Sequence, residues 1–179
     1  MMKALKPIIA VPLKYGAIVG VFLFLVFFCM QLAGQQPGIN VNTMFIQGLL
    51  IVLFMYFCLR EFRDYKNGGI LHYWQGMTAS FILYALAALL YASAMWVWLT
   101  VDAEAMQQII DYRLGYMQRT KDSFIQGGGT EEVFNTQVAQ LKLLTPGVMF
   151  IDQLVRTLFI GVLTAVLPSI ILRKKPPGE

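Results

Sequence analysis

Histidine occurs once and cysteine twice in 179 residues, and charged side chains make up only 13% of the chain. A single histidine, His72, excludes a histidine-based metal cluster or a histidine pair. Cys29 and Cys58 each sit inside an apolar run, at positions expected near opposite faces of a bilayer, which makes a disulfide between them implausible. Buried free cysteine serves commonly as a small hydrophobe, and neither thiol is given a role. No serine stands in a G-x-S-x-G turn. The triple glycine of GGGT (127–130) lacks the preceding strand and the following Gly-Lys-Ser/Thr of a phosphate-cradling loop, so it reads as a flexible tip. Nor is there a basic face interleaved with aromatics, which sets nucleic acid aside. No catalytic residue, metal ligand or cofactor is predicted.

What the chain does have is apolar sequence. Hydrophobic residues make up 58% of it, and the mean hydropathy is +0.62, far from the balance of a soluble domain. The runs 16–34, 44–59, 77–101 and 147–172 are each long enough, or nearly so, to cross the hydrocarbon core as a helix. The first reads as a span rather than a cleaved signal, because it exceeds a typical h-region and no A-x-A-like site follows it. The predicted fold class is all-α: four transmembrane helices at about 15–34, 42–60, 76–101 and 147–172 in one membrane domain covering 1–179.

Bases set the expected threading. Lys3, Lys6 and Lys14 precede the first span, Arg60, Arg63 and Lys66 lie in the loop 60–75, and Arg173, Lys174 and Lys175 lie in the tail 173–179. All three groups fall on one side, so both termini are predicted to be cytoplasmic. Residues 102–145 carry four bases against six acids, as expected of the outer, periplasmic side. Within that segment Met106, Ile109, Ile110, Leu114, Met117, Phe124 and Ile125 recur at helical spacing. Thr130 is placed as the N-cap of a second helix whose apolar side is Val133, Phe134, Val138, Leu141 and Leu144. The segment 102–146 is therefore predicted to be an amphipathic helical hairpin.

Two polar groups stand out. At the inner boundary, Arg60, Arg63, Lys66, His72, Tyr73 and Trp74 are expected to meet lipid headgroups, with His72 an interfacial residue before it is an acid or base. A membrane enzyme using His72 with Asp64 and Tyr73 is the weaker reading. In FIDQLVRTLF (150–159), Asp152 and Arg156 are four apart, the spacing at which opposite charges meet on one helix face. Only about 24 Å of helix separates Arg156 from the inner end of its span, so it snorkels to the outer surface. The alternative is a polar pocket, in which Asp152 and Arg156 join Gln31 and Gln47 from similar depth. Small residues supply packing signals: Gly16 and Gly20, Ala88 and Ala92, and Gly161, Ala165 and Ser169. They are expected to serve the internal bundle ahead of a homo-oligomer.

Three stretches carry a resemblance. They are EFRDYKNGG followed by Tyr73, the charged hairpin ending at Thr145 and Pro146, and a last span with an early acid, Asp152, that closes on Ile171 to Lys175. Together they resemble a family of small bacterial four-span membrane proteins, domain of unknown function 4199. The resemblance implies a multi-pass protein of the bacterial inner membrane with an acid in its last span, and no assigned activity. It also suggests a membrane-associated glycosyltransferase as a partner. The function expected is that of a non-enzymatic accessory or scaffold subunit of a membrane complex, in contact with the bilayer and a membrane-protein partner or a second copy. The alternative is a small transporter or lipid-handling protein that uses the outer polar residues.

Overall fold

The computed structural model describes residues 6–34 and 41–174; Lys3, Lys175 and the connection 35–40 lie outside the described residues. It is all-helical, and among the described residues the one extended pairing is an isolated antiparallel bridge between Leu71 and Lys174. Six helices follow in order: α1 (Pro7–Leu32), α2 (Val41–Glu61), α3 (Tyr73–Val101), α4 (Ala103–Gln126), α5 (Glu131–Lys142) and α6 (Pro146–Ile171). Four of the helical stretches, Pro7–Leu32, Phe45–Lys66, Tyr73–Val101 and Pro146–Ile171, are long and apolar enough to cross a membrane. That is the build of a multi-pass membrane protein.

Two of these helices outrun the predicted spans for local reasons. Pro7 occupies the start of α1, where its missing N–H goes unneeded, and the helix is already formed when it enters the apolar run. At the same end of the bundle, where Lys14 of α1 meets Glu61, α2 passes Arg60 and widens into a π turn over Phe62–Lys66. Gly68 and Gly69 then take φ of +61° and +80°, a backbone that glycine alone adopts without strain. The Gly69 N–H closes back on the Arg63 carbonyl at 2.8 Å. The loop expected over 60–75 thus contracts to residues 67–72.

α3 is the central helix, packed between α1 and α6, with α2 set more lightly against the other three. Its buried face repeats every four residues, through Ala79, Leu83, Ala87, Tyr91, Met95 and Leu99 on one ridge and Gly76, Ser80, Tyr84, Ala88 and Ala92 on the next. α6 answers with Met149, Gln153, Thr157, Gly161, Ala165 and Ser169, again four apart. Ridges at this spacing interlock when small residues let the backbones close up. A Cβ on Gly16 would stand 2.7 Å from the Leu83 carbonyl oxygen, one on Gly20 would stand 2.8 Å from Leu90 Cβ, and one on Gly161 would run into the Tyr84 ring. The small-residue signals therefore serve contacts inside the bundle.

The segment between α3 and α6 is the predicted helical pair. Asp102 caps α4 by accepting from the Ala105 N–H at 2.9 Å, and Thr130 caps α5 by accepting from Val133 at 3.3 Å. Lys121 bonds Glu131 at 2.9 Å across the tip, beside the Phe124 and Phe134 rings. In α4 only Ala105, Met106, Ile109 and Ile110 are buried, and in α5 only Phe134. The first half of α4 docks on the bundle; the rest of the pair stands off it.

Candidate functional site

At the hairpin end, the phase of α4 follows from its cap. With Asp102 holding the first turn, Met106, Ile109 and Ile110 face the bundle, and Arg113, one turn on, follows them inward. There it meets Asp152, in the second turn of α6: Arg113 Nη2 lies 3.5 Å and Arg156 Nη2 2.9 Å from the same oxygen, Asp152 Oδ2. The three side chains keep 16%, 24% and 40% of their exposure, for Arg113, Arg156 and Asp152 respectively. Burial pushes the Arg113 guanidinium below its ordinary value, and the Asp152 carboxylate opposes that shift by favouring the charged form. Arg113 Nε is buried with no hydrogen-bond partner.

The other residues expected near this depth have their own partners. Gln47, buried on α2, donates to the Tyr91 hydroxyl of α3 at 3.1 Å. Gln31, near the end of α1, donates to Gln108 of α4 at 3.3 Å, while its own Oε1 is buried without a partner. Gln153 and Thr157, both buried in α6, bond one another at 3.0 Å. Asp152 and Arg156 are thus brought together, whereas Gln31 and Gln47 tie α1 to α4 and α2 to α3. Arg113, Tyr91 and Gln108 are additions from the structure. Arg113 had a signal: it is a base in register with the apolar stripe of an amphipathic helix.

At the opposite end, the cluster 60–75 divides. Glu61 accepts two bonds from Lys14, at 2.7 and 2.8 Å, and a third from the Tyr15 hydroxyl at 2.7 Å. Asp64 takes a two-pronged contact from Arg63, at 2.6 and 3.2 Å, with Arg60 farther off at 3.6 Å. Arg63 also reaches the Leu172 carbonyl at 3.4 Å, and Leu71 and Lys174 exchange two backbone bonds of 3.0 Å. These contacts stitch the end of α6 to the loop. Asn67 donates to the Ile70 carbonyl at 2.7 Å and to Gln75 Oε1 at 3.1 Å, and that oxygen also accepts the His72 N–H at 3.1 Å. His72 therefore stands at the N-cap of α3, with Tyr73 and Trp74 exposed in the turn after it. Asp64, which the weaker reading joins to His72, is held by Arg63 and Arg60 instead.

A groove of about 470 Å³ opens here, lined by Tyr15, Phe57, Arg60, Glu61, Tyr65 and Lys66. Among the described residues no group of three or more histidine, cysteine, aspartate or glutamate side chains is placed to hold a metal ion. What both ends offer is paired charge and hydrogen bonds between helices. Over residues 14–174 the sequence matches a family described as Protein of unknown function (DUF4199). No curated protein and no solved structure matches the chain.

Proposed function

The chain belongs to this family of unknown function, DUF4199, and from that premise we propose that it works as a non-enzymatic accessory or scaffold subunit of a membrane complex. The observation that carries the reading is Asp152, whose one oxygen holds Arg113 of the hairpin and Arg156 of the span. The most conspicuous polar group of the membrane region is spent on fastening α4 to the bundle. Beyond that fastening, Tyr116, Val133 and Leu143 lie exposed on a helical pair with little core of its own. Such a surface suits a protein partner better than a small substrate.

The basic residues supply the orientation in this proposal: the loop with Arg60, Arg63 and Lys66 on the cytoplasmic side, the hairpin outside. The membrane is then a bacterial inner membrane, and a membrane-associated glycosyltransferase is the first partner to test. Purification in mild detergent together with its native neighbours is expected to recover a partner in stoichiometric amount. Repeated recovery of the chain alone would count against the proposal.

A second reading, a small transporter or lipid-handling protein, is favoured by one observation: Arg113 Nε and Gln31 Oε1 are buried polar atoms without partners at the same end of the bundle. In a strain where deletion has a phenotype, this reading requires Asp152→Asn and Arg156→Leu to reproduce it in full. Wild-type flux in both variants removes it.

A further inference from the structure

We infer that the groove between α1 and the π turn binds the phosphate headgroup of an anionic phospholipid. Of the six residues expected to meet headgroups, only Arg60 and Lys66 line this groove; Arg63 is turned to Asp64 and the Leu172 carbonyl, and His72, Tyr73 and Trp74 belong to the start of α3. The groove gains Tyr15 from the neighbouring helix and the exposed Tyr65 from the π turn.

The charge balance fits an anion. Glu61 lies in the wall, but Lys14 and the Tyr15 hydroxyl occupy its oxygens. Asp64 is likewise taken by the shorter contact from Arg63. Arg60 keeps only the 3.6 Å pair with Asp64, and Lys66 makes no ion pair or hydrogen bond among the described residues. The lining thus holds two bases, Arg60 and Lys66, against one acid already paired with Lys14, and these two bases are less engaged than Lys14 and Arg63 beside them.

The surroundings favour a lipid over a free anion. Phe57 lies one turn from Glu61 toward the middle of α2, and it forms the apolar part of the lining. From there the seam between α1 and α2 continues through Phe54 and Phe22, whose rings pack at 5.7 Å, with Phe22, Leu53 and Phe57 exposed along it. A phosphate held by Arg60 and Lys66 would have its acyl chains led along this aromatic track, and Tyr15 and Tyr65 have the amphipathic character of membrane-boundary side chains. Basic pockets between spanning helices are the usual form of such recognition. The site is independent of what the hairpin binds.

The test uses the full chain in detergent, with phosphatidylglycerol and phosphatidylcholine offered in equal amounts and retention read by native mass spectrometry. Phosphatidylglycerol is expected to be retained in preference. Arg60→Gln and Lys66→Gln should each lower its retention about fivefold, given roughly 1 kcal/mol per base near a membrane surface. Both side chains are exposed, so the packing of the bundle is not at stake. Removing two bases from the hairpin instead, with Arg119→Gln and Lys142→Gln, should leave retention unchanged. Equal retention of the two lipids, an unchanged Arg60→Gln/Lys66→Gln double variant, or an equal loss from the hairpin variants overturns the site. Displacement of the lipid by millimolar inorganic phosphate would overturn the lipid assignment in favour of a free anion.

Discussion

Asp152 and Gly161 illustrate how much a single position in this bundle carries. At Gly161 an added methyl meets Tyr84 at Cγ and Cδ2 of its ring and at its Cβ, atoms close to the backbone and little able to move. Gly161→Ala is therefore predicted to destabilise the bundle by about 1–3 kcal/mol, the usual cost of overpacking. Gly48→Ala, where the nearest atom is Ile160 Cγ2 at 3.8 Å, should cost far less. Thermal unfolding in one detergent compares the two directly, and equal midpoints would refute the packing account. At this scale the sequence was half legible. The four-residue spacing of Asp152 and Arg156 announced their pair, because an ion pair within one helix depends on nothing else. Arg113 lies 39 residues away, and only the docking of α4 brings it to Asp152. The depth of Gln31 and Gln47 could be read along their helices, but their partners depend on helix rotation, which a nearly uniform apolar surface does not encode.

The helical pair α4–α5 is the element whose behaviour follows most directly from these contacts. Its first half is buried against the bundle and pinned by Arg113; its second half has Phe134, Phe124 and the Lys121–Glu131 bond to hold it together. Asp152→Asn keeps the shape and removes the charge that both arginines share. Because Asp152 is 40% exposed, solvent screens the pair, and the loss should be about 1–2 kcal/mol rather than the about 3–5 kcal/mol of a fully buried one. Amide exchange over 103–114 is predicted to speed up roughly 5- to 30-fold, with α1 and α3 unchanged. Uniform acceleration across the chain would mean that Asp152 stabilises the whole bundle and not the hairpin's attachment. The pair itself was readable in advance from periodicity, the glycine break and the Thr130 cap. The π turn was not, since EFRDYKNGG reads as a loop, whereas the helix continues through its charges as far as Lys66, just before Gly68 and Gly69 reverse the chain.

For the whole molecule, the four spanning helices followed from run length alone, whereas the central place of α3 did not. Its alanines and glycine become meaningful only beside the glycines of α1 and α6. The threading proposed from the bases predicts opposite accessibility for the two ends. In a background with Cys29 and Cys58 replaced by serine, a cysteine at Asn67 should react with a membrane-impermeant maleimide only from the cytoplasmic side, and one at Gly128 only from the outside; the reverse pattern would invert the topology. The central claim is that the fastened hairpin is the partner-binding surface. It is tested most directly by photo-crosslinking in native membranes, from Tyr116 on the hairpin and, for comparison, from the exposed Phe159 on α6. The account predicts one discrete heavier species from Tyr116 that is weakened by Asp152→Asn, and none from Phe159. A discrete species from Phe159 alone, or no adduct from Tyr116, would contradict it.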